Sequence, residues 1–122
     1  MIGSDSVEAS LKLACQYQRE AKVNPEPSRC LFIARKSSYH GATLGSLDLS
    51  GHYARKRSFD PILSNNTRFL SPCYAYRGLS EHETVEEYVR RLADELENEI
   101  LRLGPKNVAG CILEPIVGAV SA

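Results

Sequence analysis

The chain has 122 residues, 43% hydrophobic and 25% charged, which is the composition of an ordinary globular domain with one modest core. Fifteen basic residues balance fifteen acidic ones, which argues against nucleic acid or an anionic membrane as the main partner, because binding to phosphate needs a positive excess. No apolar run approaches the ~20 residues that span a bilayer, and the opening MIGSDSVEAS has neither the basic flank nor the apolar core of a signal peptide. An intracellular, cytoplasmic setting is therefore expected. The cysteines, Cys15, Cys30, Cys73 and Cys111, show no CxxC pairing and no zinc spacing. They read as reduced thiols, two of them packed as small hydrophobes in buried strands.

The segment from Gly3 to Glu8 reads as a helix start, with Asp5 and Glu8 approximating a capping box. Val7, Leu11, Ala14 and Cys15 give it an apolar face at helical spacing, and the prolines at 25 and 27 end it in a loop. A helix N-terminus led in by Gly3 and Ser4 offers unpaired N–H groups and the positive end of the helix dipole, which suits a phosphate. The same pair serves equally well as a plain cap.

Cys30–Ala34 is short and apolar, as a buried strand should be. The chain breaks at Lys36, Ser37 and Ser38, presents Tyr39, His40 and Gly41, and enters a helix carrying Leu44, Leu47 and Leu49. In open α/β sheets ligands bind where strands hand over to helices at their carboxyl ends. An aromatic, an imidazole and a glycine at that junction make a floor for a planar anionic ligand; a half-buried pair satisfying loop backbone groups is the competing reading. Gly41 and Gly45 permit close approach of neighbouring backbone, and Gly51 reads as the residue ending this helix. An oxyanion-loop role for His40-Gly41 lacks a GxSxG nucleophile.

His52 to Asn66 is expected to be a loop, with Arg55-Lys56-Arg57 a solvated surface cluster, and Thr67–Leu70 a short strand. An aromatic-rich loop at 71–78 precedes the clearest helix, for which Ser80 and Glu83 supply a capping box. Val85, Val89, Leu92, Leu96, Ile100 and Leu103 form its apolar face, and Gly104-Pro105 stops it. Val108–Leu113 reads as a strand covered on both faces. It delivers Glu114, followed by Pro115, to the sheet edge that carries Tyr39 and His40. A helix cap or a loop ion pair would explain Glu114 as well. Helices alternating with apolar strands specify an α/β class with a parallel sheet. A chain that opens in a helix and stops just past a strand reads as the middle of such a series, a fragment of a larger domain.

Three motifs, GSDSVEASLKLA at 3–14, FIARKSSYHGATLGSLDLSGH at 32–52 and ILEPIVGA at 112–119, resemble in order and spacing those of the class-III (omega-type) aminotransferases. The likeness spans essentially the whole chain. It implies a three-layer αβα fold, part of the fold-type-I large domain that carries pyridoxal 5'-phosphate (PLP). Residues 1–122 would be a single partial domain, lacking a preceding strand, the catalytic-lysine region and the small C-terminal domain. By the resemblance Gly3 and Ser4 hold the cofactor phosphate, Tyr39 stacks on the pyridine ring, His40 lines the site, and Glu114 shapes the substrate pocket beside the cofactor. The parent reaction moves an amino group from a small-molecule amino donor to a 2-oxo acid or aldehyde, and the parent is expected to be a homodimer. Pyridoxal chemistry also needs a Schiff-base lysine and an acid on the ring nitrogen. In the family both follow the Glu-Pro motif, and none of Lys12, Lys22, Lys36, Lys56 and Lys106 matches that lysine. The chain alone is therefore expected to be without turnover. A non-catalytic protein that pairs with a full-length relative, a small doubly wound phosphate-binding module, and a gene-model fragment without function are the alternatives.

Overall fold

The computed structural model describes residues 2–118. Its centre is a sheet of three parallel strands, β1 (Leu31–Arg35), β2 (Thr67–Leu70) and β3 (Val108–Cys111), in the order β2-β1-β3. β1 takes the middle because Phe32, Ile33 and Ala34 are consecutive apolar residues, and all three are buried. Phe32 pairs with Thr67 on one side, and a register shift after Leu31 sets it opposite Gly110 on the other.

Among the described residues, five α-helices accompany the sheet: α1 (Gly3–Glu20), α2 (Leu44–Leu49), α3 (Tyr53–Lys56), α4 (Ala75–Gly78) and α5 (Val85–Leu103). α5 lays Leu96, Ile100 and Leu103 against Ile33, Leu70 and Val108, closing the core. α1 and α2 touch each other and contact β3 and β1 respectively. The result is the expected α/β, three-layer αβα arrangement.

Several local expectations shift. The long helix is capped one turn later than predicted: the Thr84 hydroxyl accepts from the Glu87 N–H (3.2 Å), and the Glu87 carboxylate accepts from the Thr84 N–H (2.8 Å). The Ser80 N–H still donates to Glu83 (3.0 Å), but in a preceding turn, where Arg91 also holds Glu83 at 2.7 Å. Gly104, at φ +85°, ends α5 as anticipated. α1 stops at Glu20 and begins at Gly3, with Asp5 reaching back to the Ile2 N–H (3.4 Å). Glu8, read as the cap acid, points elsewhere.

The loop after His52 contains α3 and a 3₁₀ turn at Asp60–Ile62, and the aromatic loop contains α4. Single turns of this length carry no periodic apolar signal. β3 is an edge strand rather than one covered on both faces: Val108 is buried, whereas Cys111 is exposed. Cys30 is exposed as well, so neither thiol is the buried hydrophobe expected. The Ile112 N–H still bonds the Ile33 carbonyl (2.9 Å) before Pro115 turns the chain away.

Candidate functional site

The carboxyl ends of β1 and β3 open onto one edge, and the segment after β1 is the hub there. Arg35 passes into a turn whose Ser37 has φ +59°. The buried Ser38 hydroxyl donates to the Arg35 carbonyl (2.6 Å) and accepts from the Gly51 N–H (3.1 Å). The Ser37 N–H bonds the Gly51 carbonyl (3.1 Å), so both ends of the 38–50 excursion are tied at the foot of the strand. Gly51 sits so close to the Arg35–Lys36 backbone that a Cβ there would lie 2.8 Å from the Lys36 Cα. Its φ is not positive, so close approach, rather than a left-handed helix end, is what demands glycine.

From this anchored loop three backbone N–H groups find partners on other segments. The Tyr39 N–H donates to Glu114 Oε1 (2.6 Å), which bridges the ends of β1 and β3. The His40 N–H donates to Ser50 Oγ (2.9 Å) at the far end of α2. The Ala42 N–H donates to Ser4 Oγ (3.0 Å) in the first turn of α1. Gly41 lies between the last two at φ +135°, and a Cβ on it would meet the hydroxyls of Ser46 (2.5 Å) and Ser4 (2.6 Å). Gly3, Ser4, Tyr39, His40 and Glu114 thus fall in one connected patch. Ser4 and Glu114, on α1 and after β3, each hold the loop by one of its N–H groups.

The electrostatics of the patch centre on His40. Burial pushes its imidazole below the usual pKa, and the nearby Glu114 carboxylate only partly offsets that. A neutral ring follows at pH 7. Its Nε2 is buried and has no hydrogen-bond partner among the described residues. A buried polar atom without a partner is costly, so the loop has a place for a polar group it does not itself supply. The Ser4 hydroxyl, committed as acceptor to Ala42, keeps its own proton to donate. It does so beside the Gly3 and Ser4 N–H groups, which precede the first bonded amide of α1, Asp5 to the Ile2 carbonyl (3.1 Å). Gly3 has open space beside it. These features fit a group that carries both an anion and a planar polar ring.

Three contributors were not foreseen. The Arg55 guanidinium lies 4.8 Å from the Tyr39 ring centroid, covering one face of the ring. Lys56 donates to the Asp48 carbonyl (3.1 Å) and lies over the Phe69 ring (4.7 Å), so the basic cluster is only partly a solvated surface. Glu8 reaches from α1 to α2, accepting from the Thr43 hydroxyl (2.9 Å) and the N–H groups of Gly45 (3.2 Å) and Ser46 (3.0 Å). The one sequence signal for it was Gly45, where a Cβ would stand 2.6 Å from the Glu8 carboxylate.

The notch where the three strands end, lined by residues that include Lys36, Ser38, Cys73 and Glu114, holds only about 10 Å³, the space of one water. Roomier concavities lie on the flanks of α5 and α1, where solvated charges or exposed apolar side chains line them. A planar ligand at this edge would therefore rest on the loop rather than enter the notch.

Comparison with known proteins identifies the family. The chain is 47% identical over 117 residues to an uncharacterized aminotransferase of Schizosaccharomyces pombe, covering 96% of this chain and 25% of that protein. It is 39% identical over 118 residues to the chloroplastic gamma aminobutyrate transaminase 3 of Solanum lycopersicum, covering 96% and 22%. Among solved structures, the omega transaminase from Pseudomonas jessenii in complex with PMP superposes with a TM-score of 0.83 at 34% identity, over 95% of this chain and 25% of that one. The omega-aminotransferase from Paracoccus denitrificans gives 0.82 at 29% identity, over 95% and 25%. The chain thus spans about a quarter of the length of such relatives. The aminotransferase class-III profile matches residues 1–121, and this chain belongs to the class-III aminotransferase family, whose members are PLP-dependent.

Proposed function

We propose that this chain is the cofactor-docking portion of a class-III aminotransferase. The observation that carries the reading is the Tyr39–Ala42 loop, hydrogen-bonded to the first turn of α1 through Ser4 and to the end of β3 through Glu114. In this reading the helix start at Gly3 and Ser4 takes the phosphate of PLP, with the Ser4 proton and the free N–H groups as donors. Tyr39 offers its ring as the stacking surface, backed on its other face by Arg55. His40, neutral and with an unpartnered Nε2, presents a polar atom to the bound group. Glu114 fixes the Tyr39 backbone and keeps its second carboxylate oxygen for the pocket.

When bound, PLP supplies the electron sink for bond breaking at an amino-bearing carbon. The residues of this chain bind and orient it. The parent reaction is the transfer of an amino group from a small-molecule donor to a 2-oxo acid or aldehyde, in a homodimer. None of Lys12, Lys22, Lys36, Lys56 and Lys106 matches the family's cofactor-bonding lysine, so the role proposed for these residues is docking of the cofactor.

The test is a titration of the chain with PLP followed by quenching of tyrosine emission, with pyridoxal as the phosphate-free control. PLP should bind more tightly than pyridoxal. Tyr39→Ala should weaken PLP binding roughly tenfold, the loss of one good stacking contact. Equal binding of PLP and pyridoxal, or an unaffected Tyr39→Ala, overturns the reading.

A further inference from the structure

We propose that Glu8 is a positioning residue that sets the phosphate-binding turn of α1 and the ring-bearing loop at a fixed spacing. The proposal rests on the docking role given above to Gly3, Ser4 and Tyr39.

Ser4 and Glu8 are four residues apart in α1 and therefore share one face. Both face the segment at 42–46. Ser4 takes the Ala42 N–H (3.0 Å), and Glu8 takes the Thr43 hydroxyl (2.9 Å), the Gly45 N–H (3.2 Å) and the Ser46 N–H (3.0 Å). A helix start normally satisfies its orphan N–H groups with its own N-cap side chain. Thr43 occupies that position in α2 and makes no such bond; its hydroxyl is turned to Glu8 instead. α2 is thus capped by an acid belonging to another helix. A carboxylate is the right group for the task, since it accepts from several donors at once and lies at the positive end of a helix.

The consequence reaches the site. The turn proposed for the phosphate and the loop proposed for the ring lie on separate elements, four links of hydrogen bonding join them, and Glu8 makes three of those links. A ligand that carries both phosphate and ring gains from having the two halves held at one distance. A ligand that carries only one half gains nothing from it. Glu8 touches neither half, so its effect appears only when both are engaged.

Glu8→Gln keeps the side chain's shape but turns an NH₂ group toward either the Gly45 or the Ser46 N–H, breaking at least one bond. The experiment measures binding of PLP, pyridoxal and inorganic phosphate to the full chain and to this variant, together with amide exchange at Gly45 and Ser46. The variant should bind PLP about tenfold more weakly, as expected for loss of a charge-assisted bond. Its binding of pyridoxal and of phosphate should stay within about twofold, and exchange at Gly45 and Ser46 should quicken. Thr43→Val, which removes one of Glu8's three links together with the Thr43–Ser46 hydroxyl bond (2.8 Å), should show the same selective pattern with a smaller loss. Weakening of all three probes alike would mean a general structural role and overturn the proposal. So would PLP binding that stays at the unsubstituted level in both variants. Failure of the unsubstituted chain to prefer PLP over pyridoxal would overturn the docking reading itself, and this proposal with it.

Discussion

Gly51→Ala is the sharpest test of how the loop is anchored. A Cβ at this position would overlap the Arg35 carbonyl oxygen and stand 2.8 Å from the Lys36 Cα and 3.0 Å from the Arg35 carbonyl carbon. Carbon–carbon contacts are comfortable at about 3.5–4.0 Å, so the two backbones must part by roughly 1 Å. No flexible side chain is available to give way, because all three atoms are main chain. Parting also stretches the Ser37 N–H to Gly51 carbonyl bond and the Gly51 N–H to Ser38 hydroxyl bond, both 3.1 Å. Overpacking at about 1–3 kcal/mol and two hydrogen bonds at about 1 kcal/mol each give a total near 4 kcal/mol. Against a stability of about 5–15 kcal/mol, that is a large fraction. Urea unfolding followed by far-UV circular dichroism should show the midpoint falling steeply, with m unchanged where the variant still folds. A loss below about 1 kcal/mol would refute the reasoning, because it would mean that the strand end and the loop foot can separate freely.

Three further outcomes follow from His40, Glu114 and Asp48. His40 has a folded-state pKa below its unfolded one, so the unfolded chain binds the extra proton first, and stability should fall as pH drops below about 6.5. Glu114→Gln removes the charge that opposes this shift, so an NMR titration of the His40 ring should move further toward acid; a move toward base would contradict the assignment. Asp48, 4% exposed, accepts from Ser64 Oγ (2.8 Å), Thr67 Oγ1 (3.0 Å) and the Asn65 N–H (3.3 Å). Asp48→Ala strands those donors and should cost about 3 kcal/mol by denaturant titration, whereas a cost below about 1 kcal/mol would show that water replaces the carboxylate.

What the sequence revealed and what it withheld divide along a physical line. Features set by neighbours in the chain were legible. The apolar run at Cys30–Ala34, which forms the strand Leu31–Arg35, the strand at Thr67–Leu70 and the stop at Gly104-Pro105 each follow from residues within a few positions. The placement of Tyr39 and Glu114 on one edge was legible for the same reason, since both follow parallel strands directly. Capping was legible in kind but not in position. Ser80 and Thr84 each stand three residues before a glutamate, and only the recruitment of Glu83 by Arg91 shows why the helix starts at the second. Glu8 failed for a different reason. Three residues after Asp5 it looks local, yet its partners lie 35 to 38 positions away and are mostly backbone N–H groups, which have no sequence identity to read. The same holds for Glu114, whose partner is the Tyr39 main chain 75 positions upstream. Side chains that serve distant backbone can be replaced only by others of the same reach and charge. At this edge those are Ser4, Glu8, Ser50 and Glu114, each bonded to the loop at 39–43 or the first turn of α2, so the loop's shape is imposed from outside its own sequence. That is why Tyr39-His40-Gly41 reads as a motif only in company with α1 and β3.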